Sequence, residues 1–374
     1  MQDIFNNRRT SRRTFLKSSA AASVSLALGG QASRVFAADG LTVGIIYVGS
    51  RDDFGWNASH AVGIAPLSKL PGVRIVQQER VPETKEVATA MESMIQQEGA
   101  GLILGTSYGY FNPFMIDLAK KYPKVEFRHP TTLWQADKHP KNLGSYFCFL
   151  DQAHYIDGIA AGLSTKSNKI GFVAAKPIPL VLRNINSVRV ALNKVNPKAT
   201  LQVVFTGEWT LPVREAEATN ALVDAGCDVI MTHVDSPKVC IETAERRGAK
   251  SCGHNVSQAI VAPKGFITGA ENKYETIYKL YAENLKKGLP VPNMLVGGYD
   301  KDMVQNTPFG AGATEAARKA SAEAIAELKT GKPIFSGTYK DQNGKVVLNK
   351  TYDNYDPVLD QMNYMLEGVT GALT

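Results

Sequence analysis

The sequence lacks any apolar run long enough to span a bilayer, which takes about 20 residues in a helix. The nearest candidate, Ala20 to Gly29, is short and rich in alanine and serine, as in the core of a signal peptide. Cysteine is scarce, with four residues in 374, at positions 148, 227, 240 and 252. There is no C-x-x-C and no metal-spaced cysteine–histidine pair, so a structural zinc site is not expected. Cys227, Cys240 and Cys252 fall in one stretch, and an oxidising compartment would leave their pairing open. Catalytic signatures are missing as well. No P-loop, G-x-G-x-x-G, G-x-S-x-G or H-E-x-x-H occurs, which removes the support for nucleotide hydrolysis, dinucleotide chemistry, a nucleophile elbow or zinc proteolysis. There is no solenoid repeat and no low-complexity linker.

Net charge is also lower than it first looks. The formal +7 is concentrated at residues 1–37, where Arg8, Arg9, Arg12, Arg13, Lys17 and Arg34 face one acid, Asp3. The remaining chain carries about +2 with no dense basic run, so the electrostatic footprint of a nucleic-acid binder is absent. Ser11-Arg12-Arg13-Thr14-Phe15-Leu16-Lys17 reads as a twin-arginine export signal. Val35-Phe36-Ala37 offers small or aliphatic residues for cleavage before Ala38, and no cysteine lies nearby to accept a lipid anchor. Residues 1–37 are therefore expected to be removed, leaving a soluble protein in the periplasm.

What is present is a chain of ordinary globular composition, 44% hydrophobic and 21% charged, long enough for two domains. Residues 41–63, LTVGIIYVGSRDDFGWNASHAVG, set the pattern. Leu41 to Val48 is a buried-strand run, a polar glycine-bounded loop follows, and Trp56 opens a helix. Strand and helix then alternate through strands near 73–77, 101–105, 125–128 and 142–149. The same programme restarts at Asp151 with strands near 169–174, 201–205, 228–232, 251–254 and 265–268. Such alternation predicts an α/β architecture of two doubly wound parallel-sheet lobes with a cleft between them. Asn343-Gly344 marks a hairpin, and the spacing of apolar residues from Leu359 to Leu373 predicts a final amphipathic helix.

Open α/β sheets bind ligands at the carboxyl ends of their strands, and the residues there are a biased set. Asp52, Asp53, Trp56, Asn57 and His60 follow the first strand; Ser107, Tyr108 and Tyr110 follow the strand at 101–105. Glu208 and Trp209, then His233, Asp235 and Ser236, then His254 and Asn255, and last Glu271 and Asn272 follow strands of the second half. Flat aromatics beside amides, carboxylates and hydroxyls suit a planar heterocycle, whose faces stack while its edges hydrogen-bond. The loop after the first strand is longer than the ~2–6 residues usual for a structural βα turn. His233, Asp235 and His254 can also be drawn as an acid–base or metal group, but residues of this type on adjacent strands more often orient a ligand or one another. No metal and no cofactor are expected.

These residues carry a resemblance. Gly55-Trp-Asn-x-x-His60-x-x-Gly63, Thr106-Ser-Tyr-Gly109, Thr165-Lys-Ser-Asn-Lys-Ile-Gly171, Pro177-Ile-Pro179 with Arg183-Asn-Ile-Asn186, Trp209 with Pro212 and Glu215, and His233-x-Asp-Ser-Pro237 resemble the basic-membrane-protein family of ABC-transporter solute-binding proteins, which includes a purine-nucleoside receptor branch. The resemblance implies a type I periplasmic binding fold with a hinged cleft. One lobe is expected at 38–149 plus 256–290, and the other at 150–255 plus 291–374. It implies a purine ligand, a membrane permease as partner, no nucleic acid, a monomer and no enzymatic activity. Aromatic stacking falls to Trp56, where a phenylalanine is more usual, and to Trp209; polar contacts fall to Asn57, Tyr108, Asp235, Asn255 and Glu271, and the strand-end residues His60, Ser107 and His233 are expected to join them as ligand contacts. The nucleoside branch carries an aspartate where His254-Asn255 stands and a lysine near Glu271. Without those ribose contacts, a free base such as adenine is favoured over a nucleoside. Leu180 replaces an acid expected after Pro-Ile-Pro. An enzyme of another class, a periplasmic nucleoside hydrolase working through Asp52 or Asp53, is the rival expectation.

Overall fold

The computed structural model describes residues 40–373, so the twin-arginine segment lies outside the described residues. The buried-strand run becomes β1 (Leu41–Ile46), whose side chains are almost all enclosed. With β2 (Val73–Gln78), β3 (Ala100–Gly105), β4 (Glu126–His129), β5 (Leu143–Cys148) and β11 (Met294–Gly297), it makes a parallel six-stranded sheet ordered β11-β5-β4-β3-β1-β2. Helices α1 (Trp56–Ile64), α2 (Lys85–Gln96) and α3 (Ile116–Lys121) connect its strands. A purely parallel sheet needs cover on both faces, which accounts for the continuous burial of β3.

The second sheet has seven strands. β6 (Lys169–Ala174), β7 (Thr200–Phe205), β8 (Val229–His233), β9 (Lys250–Asn255), β10 (Phe266–Asn272), β12 (Val304–Asn306) and β15 (Val369–Thr370) lie in the order β12-β10-β9-β8-β6-β7-β15. Only β12 runs antiparallel, against β10. Its helices are α4 (Asp151–Ser164), α5 (Pro179–Val195), α6 (Pro212–Asp224), α7 (Lys238–Arg246) and α9 (Glu315–Lys329). α4 packs between α5, α9 and β10, and every residue of it but Leu163 is buried. Two α/β lobes follow, as the alternation predicts. α8 (Tyr274–Lys286) packs back on α1 and β1 in the first lobe. A short hairpin pairs β13 (Tyr339–Lys340) with β14 (Val346–Leu348) around the expected Asn-Gly turn.

Two expectations change. Residues 256–290 do not return to the first lobe as one block, because β10 is hydrogen-bonded between β9 and β12, with Ala270 opposite His254. The return begins at α8. Nor do residues 291–374 belong wholly to the second lobe, since β11 pairs with β5 at the edge of the first sheet. The chain thus passes between lobes after β5, after β10 and after β11. The expected terminal helix is also absent. Residues 359–361 form a single 3₁₀ turn and 369–370 add a strand to β7. Asn186 donates to the carbonyl of Tyr364 and accepts from the amide of Leu366, both at 3.0 Å, and Arg189 Nε donates to the Glu367 carbonyl at 3.0 Å. These side chains of α5 hold the tail's backbone groups, and Gly368 turns it at φ +86°. The apolar period is real, but it serves an extended strap that inserts Leu359, Met362, Met365 and Leu366 into the core.

All four cysteines are buried and unpaired; the possible pairing of Cys227, Cys240 and Cys252 does not occur.

Candidate functional site

The loop after β1 is built around Asp53. Its carboxylate accepts from the amides of Gly55 and Ala58 at 2.9 Å and of Asn57 at 3.0 Å, and from Asn57 Nδ2 at 2.7 Å. A carboxylate over the first turn satisfies orphan amides and suits the positive end of the helix dipole. Asn57 Oδ1 in turn accepts from the Gly49 amide at 3.1 Å. Asp53 and Asn57 therefore lock the start of α1, and the side chain of Asn57 has its amide engaged inside the loop. Asp52 is exposed and bonded to Ser50. Neither aspartate of the hydrolase expectation faces the cleft as a free acid.

That capping places Trp56 at the cleft. Its Nε1 donates to the Thr106 carbonyl at 2.8 Å, tying the β1 and β3 loops together. Its ring meets His60 edge-on at 4.6 Å, and His60 lies flat on Tyr274 at 3.9 Å. His60 Nδ1 is 2.5 Å from the Tyr278 hydroxyl, which bonds to Tyr146 at 2.8 Å. Burial holds His60 well below the usual histidine range, and its Nε2 has no hydrogen-bond partner among the described residues. Ser107 is engaged by Glu83 at 2.5 Å, with Glu83 also accepting from the Gly109 amide at 2.7 Å. Tyr108 stands 70% exposed, on the rim rather than in an enclosed pocket.

From the second lobe, Asp235 and Trp209 approach the same point. The Asp235 amide donates to the Trp209 carbonyl at 2.8 Å, while the Asp235 carbonyl accepts from the Trp56 amide at 2.8 Å. The backbone of one residue, Asp235, thus bonds to the backbones of both tryptophans, one in each lobe. Ser236 Oγ donates to the Asp53 carbonyl at 2.8 Å, Gln258 Nε2 to the Phe54 carbonyl at 2.7 Å, and Lys238 sits over the Phe54 ring. The lobes are closed on each other. A Cβ at Gly55 would fall 1.8 Å from the Asp235 carbonyl oxygen. Gly55→Ala is expected to leave each lobe folded yet hold them apart, with small-angle scattering giving a larger radius of gyration than the wild-type chain.

The Asp235 carboxylate is half-buried and makes no hydrogen bond within the described residues. Desolvation, reinforced by the charges of Asp53, Glu215 and Glu83, pushes it up to about 7. A carboxyl raised on folding contributes stability that is fully present below its unfolded value near 4 and is lost as pH rises through about 7. The thermal midpoint of the ligand-free protein is expected to fall as pH rises from about 5 to 7 and to level off above that. Asp235→Asn, which does not titrate, should flatten that slope.

Other expected contacts are drawn into the second lobe. Asn255, at φ +69°, accepts from Asn272 Nδ2 at 3.0 Å. Glu271 accepts from Gln305 Nε2 at 2.8 Å and from the Thr307 hydroxyl, and burial raises its carboxyl. His233 Nδ1 lies 3.0 Å from Asn184 Nδ2, and its ring is 6.2 Å from Trp209 and 4.1 Å from His254. Beneath them is a residue that the sequence does not single out. His154 of α4 contacts His254, Nε2 to Nδ1, at 3.0 Å. No spacing along the chain links positions 154 and 254; only the packing of α4 against the second sheet does.

Most of the described chain matches a known family. A model of ABC transporter substrate-binding proteins of the PnrA-like type, Bmp, matches residues 41–327. The chain belongs to the Bmp family. It is similar to a purine-binding protein of Brucella abortus, 31% identical over 349 residues that span 92% of this chain and 97% of the relative. It is also similar to a putative ABC transporter glucose-binding protein of Haloferax volcanii, 29% identical over 68% of this chain and 63% of the relative. Among solved structures, a solute-binding protein of Conexibacter woesei superposes with a TM-score of 0.68 at 22% identity, covering 78% of this chain and 97% of that one. One from Aeropyrum pernix superposes at 0.65 and 16% identity, covering 87% and 100%. These two support the two-lobed periplasmic-binding fold. As a Bmp protein, the chain is a solute-binding component of an ABC transporter and not an enzyme, which sets aside the hydrolase expectation. Proteins of this kind bind a ligand outside the cytoplasm and work with a membrane permease.

Proposed function

We propose that this Bmp protein binds a purine nucleobase, adenine in particular, in the periplasm after twin-arginine export and delivers it to its permease. The reading rests on the Asp235 carboxylate, which has no hydrogen-bond partner among the described residues and is pinned by its own peptide groups between Trp56 and Trp209. The two indoles supply faces for a planar ring. Asp235 accepts from the exocyclic amine, and the free Nε2 of His60 offers a further polar contact on the first lobe. The acids Asp53, Glu215 and Glu83 surround Asp235 and help to raise its carboxyl, so a neutral hydrogen-bond donor fits it better than an anion. The Brucella relative's name points to the same ligand class. A free base is favoured over a nucleoside because Asn255 and Glu271 are engaged by Asn272, Gln305 and Thr307, leaving no open carboxylate at those positions for ribose hydroxyls.

Asp235→Asn exchanges one acceptor oxygen for a donor amide. Adenine, whose exocyclic group donates, should lose about 1–3 kcal/mol of affinity by calorimetry. Hypoxanthine, with an acceptor there, should lose less or gain. Equal losses for the two bases would remove Asp235 from the ring edge.

A further inference from the structure

We propose that His154, His233 and His254 form a binding site for a divalent d-block cation, zinc(II) in the first instance, at the cleft end of the second sheet. One nitrogen from each ring lies within 4.8 Å of the other two. Four-coordinate zinc at about 2.0–2.1 Å from each nitrogen separates its ligands by roughly 3.4 Å. The His154–His254 contact at 3.0 Å is already close to that, and the His233 ring, whose centroid lies 4.1 Å from that of His254, completes the set by turning away from His254. Three imidazoles are the donor set that zinc, nickel and copper favour over calcium or magnesium.

The groups behind the rings support ligation. His154 Nδ1 faces Asp157 Oδ2 at 3.5 Å, and neither atom has a hydrogen-bond partner among the described residues. When the cation takes His154 Nε2, the ring's single proton moves to Nδ1, where Asp157 waits to accept it. A carboxylate behind a ligating histidine is the usual device for fixing its tautomer. Asn184 is placed likewise against His233 Nδ1, and its own Oδ1 is unpartnered. Turning that amide over, an exchange of near-identical atoms, lets Oδ1 accept from Nδ1–H and leaves His233 Nε2 for the cation. Three buried imidazoles that share one mutual hydrogen bond, with three unpartnered atoms behind them, are poorly explained as simple core packing. His233, at 6% exposure the least enclosed of the three, lies nearest Trp209 and gives access from the cleft.

This inference goes beyond the purine reading and does not depend on it. The test uses the untagged mature protein, stripped with chelator, titrated with zinc chloride by calorimetry and with cobalt chloride by visible absorption. One equivalent of zinc should bind saturably, and cobalt should show the absorption of a four-coordinate site. His154→Gln should abolish both. Asp157→Asn, which keeps all three rings, should weaken zinc about 10–100-fold. Adenine binding on each stripped sample reports the fold and the purine reading separately. If His154→Gln does not fold, His233→Gln carries the same expectation. No saturable uptake of either ion, or uptake unchanged by the histidine variant that folds, would overturn the site.

Discussion

Trp209→Ala should weaken adenine binding by two or more powers of ten. The indole of Trp209 is half-buried and supports the second-lobe face of the cleft, within 6.2 Å of His233. Its backbone carbonyl, which fixes the Asp235 amide, is retained in the variant, so the change isolates the ring. Removing a large aromatic from a closed site costs about 3–5 kcal/mol in apolar burial and ring contact, and ~1.4 kcal/mol is one decade of affinity. Trp209→Phe, which keeps a plane, should recover most of the loss. An alanine variant that binds within a factor of three of wild type would show that the base does not stack there.

The second large effect is on stability. Arg183 is almost fully buried on α5, with Nε 3.0 Å from Asp151 Oδ2 and Nη1 2.6 Å from Asp360 Oδ1. It also donates to the Asn354 carbonyl, and its guanidinium covers the Phe149 ring at 4.4 Å. The one side chain therefore ties the first passage between lobes, the start of α4 and the terminal strap. Arg183→Ala leaves the equally buried Asp151 without its counter-ion. Breaking a buried pair from one side costs about 3–5 kcal/mol, whereas replacing both partners with apolar residues of similar volume is often neutral. Urea denaturation should show the single variant destabilised on that scale and Asp151→Leu with Arg183→Met substantially recovered. Equal destabilisation of single and double variants would mean that packing, rather than the uncompensated charge, sets the loss.

The parts of the fold that were legible in the sequence are those encoded locally. Apolar runs ending in polar loops marked the strands of both sheets, and the Asn-Gly turn marked the hairpin. Sheet membership was not local. Nothing in Phe266–Asn272 says that it pairs with β9 instead of returning to the first lobe; the hydrogen-bond register decides that. The tail from Leu359 misled for a different reason. Its apolar spacing fits a helix, yet Asn186 and Arg189, far away in sequence, satisfy its backbone in an extended form. At the site, residue type at strand ends drew attention to Trp56, Trp209 and Asp235, which the fold gathers around one backbone junction between the lobes. It could not separate them from Asn57 and Ser107, which have the same polar character but are engaged by Asp53 and Glu83. His154 escaped notice because it sits inside a helix, one hundred residues from its partner His254.

The central claim is tested most directly by titrating the mature protein, unfolded to strip any carried ligand and refolded, with adenine and with adenosine in a calorimeter. One adenine should bind per chain, more tightly than adenosine, with the binding abolished or weakened at least a hundredfold in Trp209→Ala. An absence of saturable heat with adenine, or tighter binding of adenosine, would contradict the free-base reading.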